Sequence, residues 1–364
     1  MDIRLENVLE YEQPTKYIVK SENYSDDFAL PVLTAGKSFV LGFTDETDGI
    51  CKASESPVII FDDFTADCKY VDFDFKVKSS AMKILHKANT EDNLKYYFYA
   101  MQAIDYTPFS HKRVWISEYS KFKIKNRSIA EQNNIVKELD TVATAIDNAK
   151  QRLNALDELV KSRFIEMFGT LDLSIQGESW LPLSEISTIY TGTTPSTKEK
   201  ENWDGKIPWI TPAELSEDSF FVFDSERKIT EKGLKSKSLS LMPKNTVLLS
   251  TRAPIGKVAI AGIEMCCNQG FKNFHCNNTI LNPIYLYTLL KNNNEYLNSL
   301  GTGTTFKEIS KTNVSKIKVP VANISLQNEF AEYVKLIDKS KFIVQKQIDD
   351  LQELLDSKMD EYFG

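Results

Sequence analysis

Apolar residues recur at steps of three and four along two long stretches of the chain. Between Ala130 and Gly169 the stripe is Ile135, Leu139, Val142, Ile146, Ala149, Leu153, Leu156, Val160, Phe164 and Met167. Between Ser325 and Gly364 it is Phe330, Val334, Ile337, Val344, Ile348, Leu351, Leu355, Met359 and Tyr362. Such spacing gathers side chains on one narrow helical face, as in a coiled-coil seam. Neither stretch contains Pro, and Gly stands only at the end of each. Each is predicted to be one helix of roughly 35–38 residues, about 50–57 Å long. A helix of this kind is unstable alone in water. The expected arrangement is an antiparallel pair of the two. Lys341 interrupts the second stripe where Ile146 stands in the first.

The two stretches are copies. They align without a gap at an offset of 195, with identities at Gln132/Gln327, Asn133/Asn328, Leu156/Leu351, Glu158/Glu353, Leu159/Leu354, Ser162/Ser357, Glu166/Glu361, Phe168/Phe363 and Gly169/Gly364. The repeat continues upstream of each. Leu30 to Ala35 matches Ile207 to Pro212, and Pro57 to Asp63 matches Thr246 to Arg252. Ile116-Ser117 with Lys123 to Lys125 matches Ile309-Ser310 with Lys316 to Lys318. These short β-rich runs, bounded by Pro, Gly or polar clusters, are predicted strands. Ile284 to Leu290 and Ala81 to Ala88 are predicted short helices. The layout is a globular domain at 1–127, a long helix at 128–169, a second globular domain at 170–322 and a second long helix at 323–364. The fold class is α+β: two mixed α/β domains separated by two long helices forming an antiparallel coiled coil, with an internal pseudo-twofold repeat.

Composition narrows the function. The 364 residues suit two domains, and 42% hydrophobic with 26% charged residues excludes disorder and small disulfide scaffolds. No run approaches the ~20 apolar residues of a membrane span, and the start of the chain has no signal-peptide core. Five Cys without a C-x-x-C suit a reducing cytoplasm. The net charge of −7 argues against a nucleic-acid protein. The acid excess is heaviest in 323–364, whereas 170–322 is net +2.

Ordered motifs in the second half give the chain a family likeness. They are Thr191 to Ser196 (TGTTPS), Ile207 to Pro212 (IPWITP), Gly233-Leu234-Lys235, Val247 to Lys257, Asn268 to Lys272 (NQGFK), Gly303 to Phe306 and Ile317 to Pro320. In the first half they are Pro31 to Gly36, Phe61 to Thr65 and Glu131-Gln132. With these motifs and their duplication, the chain resembles the specificity subunit of type I restriction-modification systems over essentially its whole length. The resemblance implies two target-recognition domains, each reading one half of a bipartite site in double-stranded DNA. It implies that the helices hold the spacing and dock two modification (methyltransferase) subunits, with restriction (endonuclease/translocase) subunits joining that core. The chain itself would be non-catalytic and hold no cofactor; S-adenosylmethionine, ATP and magnesium would belong to the partners. The first half lacks a loop like Thr191 to Ser196, and the second copy has Leu326-Gln327 where the first has Glu131-Gln132.

Bases are told apart mainly in the major groove, by paired donors and acceptors. Candidate contacts in the second domain are Thr193, Thr194, Ser196 and Lys198 on one loop, Arg252 and Lys257 on another, and Asn268, Gln269 and Lys272 around Gly270. In the first, Lys37, Lys52, Lys69, His111, Lys112 and Arg113 are the weaker counterparts, and Asp63 joins them as a candidate. Asp63 aligns with Arg252, so that Arg252 would favour guanine and Asp63 cytosine; a salt bridge at a strand end competes with that reading. Given the acid excess, the isolated chain is expected to bind DNA poorly, with partner subunits supplying positive surface.

Enzyme motifs fail on inspection. Asn282-Pro283-Ile284-Tyr285 lacks the second Pro of an adenine-methyltransferase motif and is better explained as a helix cap followed by Pro at the first position. Gly36-Lys37-Ser38 has Pro31 where a phosphate loop needs Gly. Cys266-Cys267 with His275 and Cys276 lacks the ligand spacing of zinc sites. The competing function is a coiled-coil assembly scaffold that recruits protein partners without DNA.

Overall fold

The computed structural model describes residues 2–364 other than 36–37, 110–111, 176, 217–218, 238, 253 and 304–306. It divides into two compact units: unit 1 is 1–150 with 346–364, and unit 2 is 151–345.

In unit 1 the elements are β1 (Asp2–Arg4), β2 (Leu9–Glu12), β3 (Leu30–Leu33), β4 (Val40–Thr44), β5 (Val58–Asp62), β6 (Cys68–Val71), β7 (Lys76–Val77), β8 (Met82–Lys87), α1 (Leu94–Gln102), β9 (Lys123–Lys125) and the start of α2 (Ile129–Phe168). In unit 2 they are β10 (Leu181–Pro182), α3 (Leu183–Ile186), β11 (Ser187–Thr191), β12 (Trp203–Ile210), β13 (Phe221–Val222), β14 (Lys228–Ile229), α4 (Glu231–Ser236), β15 (Val247–Leu249), β16 (Val258–Ala261), β17 (Cys266–Cys267), β18 (Lys272–Cys276), α5 (Pro283–Asn292), α6 (Asn294–Ser299), α7 (Lys311–Ser315), β19 (Lys318–Val319) and the start of α8 (Ile324–Phe363).

The sheets repeat. Unit 1 has the orders β2-β8-β5-β6 and β4-β3-β7; unit 2 has β11-β18-β15-β16-β13 and β14-β12-β17. Even the parallel pairs match: Val32 with Lys76 and Leu33 with Val77, then Trp209 with Cys266 and Ile210 with Cys267. Strand β13 is the addition that makes the fifth strand of unit 2.

Three expectations need correction. Ala81 to Ala88 is not a helix: Met82–Lys87 is strand β8, paired on both sides by β2 and β5. Its Ala, Leu and Lys favour a helix locally, but two flanking strands decide the conformation. The helix of unit 1 that matches α5 is α1, which lies further along. Ile116-Ser117 and Ile309-Ser310 are not strands. Ile116 and Ser117 lie in a turn closed by Glu118 N–H donating to Val114 O at 2.9 Å. Ile309 and Ser310 lie before α7, where the Ser310 hydroxyl caps the helix by accepting from Asn313 N–H.

Each long helix is 40 residues, about 60 Å at 1.5 Å per residue. Helix α2 begins with a reciprocal cap between Ser128 and Glu131. Gly169 ends it at φ +79°, with its N–H on Ile165 O. Each unit receives one half of each helix. In unit 1, Leu355, Met359, Tyr362 and Phe363 of α8 pack on a core that includes Ile135, Val136 and Leu139 of α2. Glu138 accepts from Lys358 Nζ at 2.6 Å and from Tyr362 OH at 2.7 Å. In unit 2, Phe330 meets Phe164 and Phe168 at centroid distances of 5.4 and 5.6 Å. Arg163 pairs with Glu329, and Lys341, the break in the apolar stripe, donates to Asp157 at 2.7 Å. In both units early residues of one helix meet late residues of the other.

The same latch ties helices to sheets in each unit. Gln132 accepts from Asn93 N–H at 2.9 Å, and Asn93 donates its amide to Asn133 at 2.8 Å. Gln327 and Asn328 do the same for Asn282, each at 2.8 Å. Asn93 and Asn282 cap α1 and α5, and Pro283 occupies the first turn of α5. The glutamines are 1% and 0% exposed, so their amides are committed to this task. Tyr96 OH then donates to Lys125 O, as Tyr285 OH does to Pro320 O.

Candidate nucleic-acid interface

In unit 2 the ends of β11, β12, β15 and β18 bring most of the candidate residues together. Gly192 begins the loop. A Cβ there would stand 1.9 Å from the Cys267 carbonyl oxygen, so only Gly lets the chain cross at this height. Two indoles then fasten the loop: Trp209 Nε1 donates to Thr193 O at 3.0 Å and Trp203 Nε1 to Ser196 O at 3.1 Å. Their rings meet edge-on at 5.1 Å, and the Arg227 guanidinium lies 3.5 Å from the Trp203 centroid. Thr194 Oγ1 donates to Gln269 Oε1 at 2.8 Å. Asn268 accepts from Gly270 N–H, and Gly270 O accepts from Thr251 N–H at 2.7 Å.

Thr193, Lys198, Arg252 and Gln269 are exposed, and Thr194, Ser196 and Asn268 half-buried. Arg252 Nε donates to Glu308 Oε2 at 2.9 Å. Lys272 is elsewhere. Its side chain is 9% exposed, and its Nζ lies 3.3 Å from Thr251 Oγ1 and 3.4 Å from Glu308 Oε1. Lys257 turns inward and donates to Leu215 O. Both lysines tie loops together, and Lys272, being buried, is too deep to reach a base edge, which corrects its reading as a contact. Cys266, Cys267 and Cys276 are buried free thiols, which burial pushes up to about 12.

Unit 1 is organised differently at the equivalent place. Asp63 is 1% exposed. Its Oδ1 accepts from the N–H groups of Val114 and Trp115 at 3.1 and 2.9 Å, and Lys83 Nζ lies 3.4 Å from its Oδ2. A carboxylate so enclosed orders the 114–115 segment and reaches no base edge, so Asp63 as a cytosine contact is corrected. The alignment with Arg252 is corrected too. Asp63 N–H donates to Ala81 O, and Asp63 O accepts from Val114 N–H; Thr251 makes the same two bonds with Gly270 O and Ile309 N–H. Thr251 is therefore the counterpart of Asp63, Lys272 of Lys83 and Glu308 of Arg113. The charge inversion between the domains lies at Arg113 and Glu308, not at the Asp63 and Arg252 that the alignment pairs.

Lys112 and Arg113 are exposed, with Arg113 donating to Ser80 O at 3.3 Å. Lys52 pairs with Asp74, and Lys69 sits over the Phe39 ring. Lys37 and His111 lie outside the described residues. Sequence reasoning missed Glu308, Trp203 and Arg227. Trp209 lay within a motif, but its indole N–H gives no sign in sequence of the loop it holds.

Comparison with known proteins agrees with this architecture. Residues 180–353 match the family model of the type I restriction modification DNA specificity domain. The chain is 37% identical over 354 residues to the type I restriction enzyme EcoR124I/EcoR124II specificity subunit of Escherichia coli, covering 92% of this chain and 85% of that one. It is also 37% identical over 185 residues to the type I restriction enzyme MjaIX specificity subunit of Methanocaldococcus jannaschii, covering 50% of this chain and 43% of that one. Among solved structures, the S subunit of a type I restriction-modification system from M. genitalium shares the fold with a TM-score of 0.62 at 15% identity, covering 100% and 96% of the two chains.

Proposed function

From the premise that this chain belongs to the type I restriction-modification specificity subunits, we propose that its two heads read the two unlike halves of an asymmetric bipartite DNA target. As a specificity subunit it recognises DNA and performs no catalysis of its own. The observation that carries the proposal is the contrast within the repeat: strand order and latch are kept in both units, while the rims above β5 and β15 carry different side chains. Sequence is read by side chains at base edges, and phosphate contacts only position. Unlike rims on like scaffolds therefore imply unlike half-sites.

The target-recognition domains are 1–127 and 170–322, and the helices at 128–169 and 323–364 are spacers. We take these helices to form one antiparallel coiled coil that sets the distance between half-sites. Its support is their 40-residue length and the pairing of their residues in both units. Two modification subunits dock on this region and restriction subunits join them. Exposed Leu336, Phe342 and Ile343 on α8 offer apolar surface for a partner to cover. The complex works in the cytoplasm, where five free thiols persist.

Mapping methylated adenines in a host with and without this chain tests the reading. A bipartite motif should vanish with the chain; an unchanged pattern would favour the scaffold alternative. Inserting four residues after Leu153 adds about 6 Å, near two base pairs, and introduces a stutter. The spacer in the mapped motif should lengthen, and an unaltered spacer removes the ruler.

A further inference from the structure

We propose that Glu308 is the positioning residue for Arg252, and that it aims the guanidinium at a guanine in the half-site read by the second head. The inference rests on the reading of that head as a DNA reader.

Arginine carries five N–H donors in a planar fork. Here Nε is committed to Glu308 Oε2 at 2.9 Å. That leaves Nη1 and Nη2 without a hydrogen bond among the described residues, on a side chain 46% exposed. Two parallel donors at the tip of a half-exposed arginine match the O6 and N7 acceptors of guanine in the major groove.

Glu308 is itself held. Its backbone exchanges both hydrogen bonds with Thr302, at 3.1 and 3.0 Å. The neighbouring Ile309 N–H donates to Thr251 O at 2.9 Å. Its second carboxylate oxygen faces the Nζ of buried Lys272 at 3.4 Å. Lys272, Glu308 and Arg252 thus form a three-step support from the sheet to the rim. An unsupported arginine must freeze several rotors on binding, and fixing them in advance raises affinity and discrimination.

Chemistry separates a base contact from a phosphate contact. A carboxylate beside a phosphate-binding arginine fixes the fork but also repels the phosphate. Beside a base-reading arginine it fixes the fork. Among the described residues the first head shows no equivalent device, since Glu308 corresponds to Arg113 and Arg252 to Phe64.

The test uses the assembled complex in its host. Methylated sites are mapped for Arg252→Ala, Arg252→Lys and Glu308→Gln. Arg252→Ala and Arg252→Lys should each release one guanine position of the second half-site. Glu308→Gln should relax that same position less, and the first half-site should stay fixed in all three. On purified complex, 7-deazaguanine at that position should weaken wild-type binding about ten-fold or more and leave Arg252→Ala unaffected. Uniformly weaker methylation of an unchanged motif makes Arg252 a phosphate contact and overturns the proposal. So does relaxation by Arg252→Ala with none from Glu308→Gln. Loss of all modification with an unshifted melting curve also counts against it; with a lowered melting curve, Arg252→Lys, which keeps the charge, decides. A methylation pattern independent of the whole chain refutes DNA reading itself, a different result from an unaltered motif.

Discussion

Where β5 ends, the first head closes on itself; where β15 ends, the second opens outward. Asp63 is walled in with Lys83 and two backbone N–H groups. In the second head the same lysine position survives as Lys272, but Thr251 replaces the buried carboxylate and the acid moves to Glu308, 35% exposed, beside Arg252. Duplication has kept the lysine and changed its partner. The buried pair spends its charge on internal order, whereas the shallower pair leaves an arginine available at the rim.

The sharpest way to break this contrast is to remove each lysine. Lys83→Met strands Asp63 as a buried charge facing only its two amides, and losing one partner of a buried pair costs about 3–5 kcal/mol. Lys272→Met leaves Glu308 with Arg252 and with water, so about 1 kcal/mol is expected. Hydrogen exchange resolved to residues 58–62 and 247–249 would report each head separately. Equal losses would mean that the two lysines do the same work. In the double variant Asp63→Leu/Lys83→Met only part of the first loss should return: the buried charge is gone, but the Trp115 N–H loses the carboxylate oxygen that accepts from it.

A smaller effect is expected from the indole clamp, which has no counterpart among the described residues of the first head, where Val32 stands at the place of Trp209. Trp209→Phe keeps a ring beside Trp203 but removes the N–H that holds Thr193 O. Thr193 is exposed and water can take the bond, so the loss in stability should stay near 1 kcal/mol. Amides of the 193–196 loop should exchange faster, and discrimination should fall only in the second half-site. A matching change in the first half-site would show that the clamp acts on the whole complex rather than on its own loop.

What sequence could and could not reveal follows the range of the interactions. The helical stripes and the duplicated Gln132-Asn133 and Gln327-Asn328 are legible because spacing and repetition are local signals. So is the cap at Asn282-Pro283. Met82–Lys87 is not, because its strand state is imposed by β2 and β5. Asp63 misleads for a similar reason: the amides that enclose it come from residues 51 and 52 positions away. Glu308 stands 56 positions from Arg252, and no pattern in the chain announces that ion pair. A slip of one residue between β5 and β15 is enough to set Asp63 opposite Arg252 in place of Thr251. Only the backbone hydrogen bonds fix which residue faces inward.

The smallest effect expected separates the two long helices themselves. Asp338 of α8 corresponds to Ala143 of α2, so only the second copy carries an acid there. Burial pushes the Asp338 carboxyl above its ordinary value, and the attraction of Lys341 only partly opposes this. The surrounding cavity, about 290 Å³, also presents Asp157, Glu158, Lys161 and Lys291. A carboxyl whose folded value is raised favours the folded state in its protonated form, and that contribution fades as pH rises through the folded value. Asp338→Asn mimics the protonated form. It should therefore stabilise unit 2 at neutral pH and make no difference well below the ordinary aspartate range. Thermal unfolding of unit 2 across that interval checks the sign. A variant less stable than the parent at neutral pH would show that the Lys341 attraction outweighs burial.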